Sequence, residues 1–333
     1  MTERISPVKP AGGLLNQAIA LARRIPPIAV VFLVVFIAVG MLNPNFLTVD
    51  GVLTFLRRAA PTVILAMGSL FVIASGGFDL SIGSLVTFVV IGGAMLIGND
   101  PANAYPAILI LLGIGVIVGL VNGISVSYLK VPSLIATLGM LLIVRGLGLY
   151  WSGGAPRGYL TDNFRAFGRG FIEDIPVIGR FPISVIVLVA MGLIAYLLFH
   201  RANLGRQILA VGDNPTTAGL SGVRVRVVRI TAFVISSLFA IVAGVLVGGF
   251  AGVNIEAGTG LELQAISAAV LGGAALLGGR GSVPSVIFGA LTLEALFNVL
   301  NLLGLPKPLR DAVQGLIIIS AAAYIAFGSR RKR

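Results

Sequence analysis

The chain contains no cysteine, which excludes disulfide bonds, thiol nucleophiles and thiolate metal sites. Its single histidine, His200, argues against a histidine metal cluster or a Ser-His-Asp triad. Charged residues make up only 11% of the 333 residues, whereas a soluble protein carries about 25%. Hydrophobic residues make up 57%, and the mean hydropathy is +1.04. This composition predicts a membrane protein with several spans.

A phosphate-binding loop is also missing, because G-x-x-x-x-G-K-[ST] occurs nowhere in the chain. The glycine-rich GGRGS at 278–282 lacks the lysine, and we interpret it as a tight cytoplasmic turn. The chain therefore cannot bind ATP by that route, and we expect no cofactor or metal on it. No span carries paired acids on one helix, which argues against a membrane-embedded enzyme.

The apolar runs predict an all-α membrane protein with about ten transmembrane helices, since a span needs roughly 20 apolar residues. The predicted spans are 26–42, 51–75, 82–98, 106–127, 131–151, 181–200, 229–251, 263–278, 283–303 and 310–327. We expect a cytoplasmic segment at 1–25, one transmembrane domain at 26–327 and a basic cytoplasmic tail at 328–333. The long inner loop is 201–228, and the long outer loop is 152–180.

The basic residues set the orientation. With the N-terminus inside, 15 of the 24 Lys and Arg residues lie on inner segments and 8 on outer segments, while Arg145 lies within a span. Both termini and the net charge of +12 are therefore expected on the cytoplasmic face. We interpret that charge as a topology signal and a contact for lipid headgroups, not for nucleic acid. No cleavage site follows the basic start before Asn43, so the first helix is expected to be retained.

Two segments suggest an internal repeat. GGFDLSIGSLVTFVVIGGAML at 76–96 resembles TGLELQAISAAVLGGAALL at 259–277. The acidic residues of the two segments, Asp79 and Glu262, are 183 residues apart. Shifting spans two to five by about that number of residues reaches spans seven to ten, which run in the opposite orientation. Inverted repeats of this kind are typical of transporters whose path lies between the two halves.

The inner loop carries the start and stop signals of one short helix. Asn214 suits the N-cap, Pro215 suits the first helical position, and Gly222 suits the residue just past the end. A capped helix on the basic side of a membrane protein indicates a surface for a cytoplasmic partner.

Seven polar residues in or beside the spans are candidates for a translocation path: Asp79, Asn122, Arg145, Glu262, Glu294, Asn298 and Asn301. Asp79 and Glu262 begin helices, so helix capping is the alternative. Glu294 lies within a span, where a charge is costly and indicates function or a buried partner. Arg145 is a candidate partner, or it extends toward the outer surface. The asparagines either bridge helices or bind a polyhydroxy solute.

The outer loop at 152–180 mixes charges with aromatic residues. Two interpretations stay open at this point. The loop is either a docking surface for an outer partner or a plug packed over the helices.

Several blocks resemble one family. LGRQILAVGDNPTTAGLSGV, GTGLELQAISAAVLGGAALLGGRGS and GALTLEALFNVLNLLG are similar to the permease subunits of ribose-type bacterial ABC sugar importers. NFLTVDGV, ASGGFDLSIGS and TLGMLLIVRG resemble the same family's N-terminal half. The likeness runs collinearly over about 43–327.

The resemblance implies a multi-pass bacterial inner-membrane subunit that is not itself an enzyme. It implies a separate ATPase that holds ATP and Mg, a second permease copy (identical or a sister chain) and an extracytoplasmic solute-binding protein. The loop helix would be the coupling helix that docks on the ATPase. The residues implied in coupling are Gly205, Arg206, Gly212, Asp213, Asn214, Pro215, Ala218, Leu220, Ser221 and Gly222.

Three residues depart from the family's usual pattern: Asp213, Gln264 and Glu294. Glu294 is the best candidate for a solute-specific feature. The transported solute is expected to be a sugar, with polyols, autoinducer-type furanoses and branched-chain amino acids as alternatives. The main rival function is a self-contained secondary transporter, for which Glu294 and Arg145 would supply the ion-coupling groups.

Overall fold

The structure is a computed structural model that describes residues 26–320, apart from 99, 177, 178, 307, 317 and 318. The expected cytoplasmic segment at 1–25 and the tail at 328–333 lie outside the described residues. The tenth predicted span is described only in part, as helix over 308–316 and 319–320.

The described chain is almost entirely helical, as predicted. The α-helices are α1 (Pro27–Leu42), α2 (Val49–Ala74), α3 (Ser81–Ile97), α4 (Ala104–Ser127), α5 (Ser133–Ser152), α6 (Asp162–Arg169), α7 (Ile183–Tyr196), α8 (Asn203–Asp213), α9 (Pro215–Leu220), α10 (Val225–Ala251), α11 (Leu261–Leu271) and α12 (Val283–Leu302). Short 3₁₀ turns cover Pro44–Leu47 and Pro101–Asn103, and a π-helical turn covers Leu197–Arg201. The outer loop contains an antiparallel hairpin of β1 (Phe171–Ile175) and β2 (Gly179–Pro182).

Six of the described helical segments are long and apolar enough to cross a bilayer, and α1, α3 and α11 are shorter apolar helices. The predicted boundaries agree with the structure to within a few residues, with one clear exception. The span predicted at 263–278 ends as a helix at Leu271, because Gly272 and Gly273 follow and Gly273 has a φ of +87°. The rest of that segment is irregular chain leading to the 278–282 turn.

The helices are arranged around α10. It packs against α2, α3, α4 and the outer helix α6. Large apolar side chains on α4, α5 and α7 point away from the bundle, for example Leu109, Leu142 and Val189, which are 62–69% exposed. These surfaces suit contact with lipid. α2 is also central, and Pro61 near its midpoint is buried.

Close approach to α10 depends on a row of glycines on α4. Gly115, Gly119 and Gly123 recur every fourth residue and therefore share one face. A Cβ atom on Gly119 would lie 2.5 Å from the Cα atom of Val234, and one on Gly123 would lie 2.6 Å from the Cα atom of Ile230. Since both neighbours are backbone, the two helices can cross at this distance only where α4 has no side chain.

We therefore expect Gly119→Ala to destabilise the protein by about 1–3 kcal/mol, the usual cost of overpacking a filled interior. The measurement is thermal unfolding of the detergent-purified protein. Gly113→Ala is the matched control, because nothing lies within 4 Å of a Cβ there on the same helix. Equal melting temperatures for the two variants would contradict this account of the helix crossing.

Candidate functional site: a short capped helix and separate polar cavities

The inner loop folds into two helices, α8 and α9. Only α9 was predicted from the sequence. The signal for α8 was present in the spacing of Leu204, Ile208 and Val211, three or four residues apart. Ile208 and Val211 are fully buried, so α8 is packed firmly against the end of the helix bundle.

The predicted caps of α9 are confirmed. The Asn214 side-chain oxygen accepts hydrogen bonds from the backbone N–H groups of Thr216 and Thr217, both at 3.0 Å. Pro215 is the first helical residue. Gly222, just past the end, has a φ of +84°, a conformation that favours glycine.

α9 presents one large apolar side chain to solvent. Leu220 is 87% exposed, while Ala218 on the same helix is buried. Ser221 is exposed, and its hydroxyl donates to the Thr217 carbonyl at 3.1 Å. An exposed leucine at the tip of an anchored helix is suited to a protein partner.

Four glycines join α8 to the bundle, and we call Gly76, Gly212, Gly278 and Gly279 the glycine junction. A Cβ on Gly212 would lie 1.9 Å from the Ala74 carbonyl oxygen and 2.4 Å from the Gly279 nitrogen. The Gly279 N–H donates to that same carbonyl at 3.0 Å. The C-terminal end of α2, the inner loop and the tight turn after α11 are thus in direct backbone contact.

The remaining residues predicted for coupling have local structural contacts. A Cβ on Gly205 would lie 1.8 Å from the Phe199 carbonyl oxygen. Arg206 donates to the side chain of Asn203. Asp213 packs with its Cα atom against Gly279. These contacts fix the shape of the loop, and the role of the ten residues in coupling stays a prediction.

The predicted path residues separate into three groups. The first is a buried network, in which Asp79 is 2% exposed and Asn122 is 1% exposed. Asp79 accepts from the Ser81 N–H at 3.0 Å, the Ser81 hydroxyl at 2.6 Å and the Ser236 hydroxyl at 2.9 Å. Asn122 donates to the Ser81 hydroxyl at 2.9 Å. These bonds favour the capping and bridging interpretations of Asp79 and Asn122.

The second group is Arg145 and Glu262, which line one small cavity of ≈ 40 Å³ between α3, α5 and the start of α11. The chain before α11 enters the bundle here, since the Gly258 N–H donates to the Thr87 hydroxyl at 2.9 Å. The hypothesis that Arg145 partners Glu294 is therefore wrong. Arg145 lies beside Glu262, and Glu294 lines a different cavity.

The third group is Glu294, Asn298 and Asn301, on one face of α12. They line an open cavity of ≈ 680 Å³ between the first turns of α2 and the outer half of α12. Arg58 and Arg310 line it as well, and Arg310 donates to Asn301 at 3.3 Å. Sequence reasoning missed both arginines, although basic residues on an outer segment run against the usual charge bias.

The outer loop combines the two interpretations that the sequence left open. Phe164 of α6 is fully buried against Gly93 and Gly248, as a plug would be. Several charged side chains face outward: Arg180 pairs with Asp50 at 3.0 Å, and both are exposed. Arg169 pairs with Asp162 on the surface of α6. One side of the outer loop is therefore packed against the helices, and the opposite side is exposed and charged.

These features define a polytopic helical membrane protein with a short capped helix at one end of the bundle and several polar cavities. A family model described as "branched-chain amino acid transport system / permease component" matches residues 51–322. The chain belongs to this family of transport permeases.

Curated relatives match along almost the whole chain. The ribose import permease protein RbsC of Escherichia coli K12 is 34% identical over 88% of this chain and 90% of its own length. RbsC of Bacillus subtilis 168 is 34% identical over 90% of this chain and 91% of its own length. The autoinducer 2 import system permease protein LsrC of Salmonella typhi is 36% identical over 89% of this chain and 83% of its own length. No solved structure matches the chain significantly.

Proposed function

We propose that this protein is the transmembrane subunit of an ATP-driven importer that carries a sugar or related polyhydroxy solute across the bacterial inner membrane. The observation that carries the proposal is the collinear likeness to sugar-import permeases over nearly nine tenths of the chain. The exposed, capped helix α9 provides a surface of the kind that such a subunit needs toward an ATPase.

The proposed coupling runs through the glycine junction. ATP and Mg bind the separate ATPase, and this chain does no covalent chemistry. Leu220 docks on the ATPase, and α8 transmits the displacement to Gly212. Because Gly212 is in backbone contact with the ends of α2 and the turn after α11, those elements move with it. The ATPase thus biases the equilibrium between two arrangements of the helices.

The outer cavity is the proposed entry point for the solute. Glu294 supplies a carboxylate, Asn298 and Asn301 supply amides, and Arg58 and Arg310 supply donors. A mixed set of donors and acceptors suits a ligand rich in hydroxyl groups. A solute-binding protein would dock on the charged face of the outer loop, and a second permease copy would complete the assembly. Polyols, furanoses of the autoinducer type and branched-chain amino acids are the alternative solutes.

A secondary transporter is not favoured. Ion coupling through Glu294 and Arg145 would require the two side chains to lie close together, but they line separate cavities. The deciding test is transport in proteoliposomes that contain the permease, its ATPase and the loaded binding protein. We expect uptake only with ATP inside and with all three components present. Uptake driven by an ion gradient in vesicles holding the permease alone would establish the rival function.

Leu220→Glu tests the coupling surface. The side chain is 87% exposed, so the fold should survive. We expect ATPase binding to weaken by about tenfold or more, since loss of an anchoring side chain commonly costs about 2 kcal/mol. Leu129→Glu, at another leucine exposed on the same face of the bundle, is the matched control. Equal losses in both variants, or normal ATPase stimulation in Leu220→Glu, would remove α9 from the coupling role.

Glu294 variants test the solute cavity. Glu294→Gln keeps the size but removes the charge, and Glu294→Gly restores the small residue that the family resemblance suggests. We expect Glu294→Gly to shift relative uptake among sugars and polyols by about tenfold, the effect of losing one charged hydrogen bond. Glu294→Gln should change the rate more mildly. The readout is uptake of a panel of labelled solutes, with folded yield measured by size-exclusion chromatography.

The exposed acid Glu256, which lies outside this cavity, provides the control as Glu256→Gln. An unchanged preference profile in both Glu294 variants at normal yield would show that Glu294 does not contact the solute.

A further inference from the structure

A second large cavity lies on the cytoplasmic side, apart from the proposed solute path. It measures ≈ 640 Å³, is open on one side and is bordered by the cytoplasmic ends of α2, α4, α5 and α10. Pro215 and Thr216, the first residues of α9, complete its wall. We call it the basal cavity.

The basal cavity is strongly cationic. Lys130, Arg226 and Arg229 line it, and none of its described lining residues is acidic. Within the part of the chain that the structure describes, none of these three side chains forms an ion pair. Three positive charges around one space, without a protein counter-charge in that part, create a strong preference for an anion.

Two of the cationic side chains are restricted by their surroundings. The Arg226 guanidinium lies 4.9 Å from the centre of the Tyr128 ring, in a cation–π contact. Arg229 is half-buried on the first turns of α10. Lys130, by contrast, is exposed. Restricted cations lose less conformational entropy than free ones when they bind an anion.

A buried hydroxyl group points independently to a ligand. Ser127 is 9% exposed and lines the basal cavity, yet its hydroxyl has no hydrogen-bond partner among the residues that the structure describes. A buried donor without an acceptor is costly. An oxygen-rich anion in the cavity would supply the missing acceptor.

We propose that the basal cavity binds a phosphate group, presented by an anionic phospholipid of the inner leaflet. Phosphate has the charge and the acceptor oxygens that three cations and a serine hydroxyl require. The cavity lies at the ends of membrane-spanning helices, which is where lipid headgroups are expected. Because Pro215 and Thr216 border it, the bound lipid would also stabilise the position of α9.

The experiment is native mass spectrometry of the detergent-purified permease, titrated with phosphatidylglycerol or with phosphatidylcholine. We expect preferential binding of phosphatidylglycerol. Arg226→Gln combined with Arg229→Gln should weaken that binding by about thirtyfold, from about 1 kcal/mol for each basic residue near the headgroups. Ser127→Ala should weaken it less, and Arg226→Lys with Arg229→Lys should retain most of it.

Arg280→Gln is the matched control, because Arg280 is an exposed arginine on the same face that does not line the cavity. Competition with inorganic phosphate distinguishes the source: displacement of the lipid at millimolar phosphate would show that the site takes free phosphate as well. Unchanged phosphatidylglycerol binding in the double glutamine variant, or equal loss in Arg280→Gln, would overturn the proposal. Loss of ATPase capture with lipid binding intact would assign the cations to an acidic protein surface instead.

Discussion

The structure depends on backbone contact between helices. In lipid the hydrophobic effect does not hold one helix against another, so tight van der Waals packing must do so. Gly115, Gly119 and Gly123 let α4 lie directly on α10, and Gly244 of α10 admits Val89 of α3 in the same way. With α10 fixed at the centre, the other helices and both functional faces take their positions from it. Side chains on this interface would separate the helices and open the bundle.

The sequence predicted most of the helices because each membrane helix must bury about 20 apolar residues and satisfy its own backbone. The short α9 was predictable for a different reason, since Asn214, Pro215 and Gly222 act locally. The end of α11 at Leu271 was not predicted, because hydropathy does not register a break at two glycines. The inverted repeat stays a prediction. Gly260 has a φ of +85°, whereas in the first segment the positive φ is found at Gly76, one residue before the corresponding glycine.

The candidate sites were less predictable, because they depend on which helices become neighbours. Arg145 and Glu294 looked like partners as the charged residues deepest in the predicted spans. The approach of the 252–260 segment to α3 brings Glu262 into the same cavity as Arg145 instead, although the two residues are far apart in sequence. Arg58 and Arg310 were visible only as exceptions to the charge bias. The spacing of Gly115, Gly119 and Gly123 predicts a helix-packing face, but the sequence does not indicate which helix packs against it.

One helix reaches both ends of the molecule. α2 ends at Ala74, within the glycine junction, and its first turns line the outer cavity. Its 26 residues span about 39 Å at the usual helical rise. A rigid tilt of about 5° around buried Pro61 would shift the two ends by about 1.7 Å in opposite directions. A helix that tilts about its midpoint in this way would widen the gap beside it at one membrane face and narrow the gap at the other.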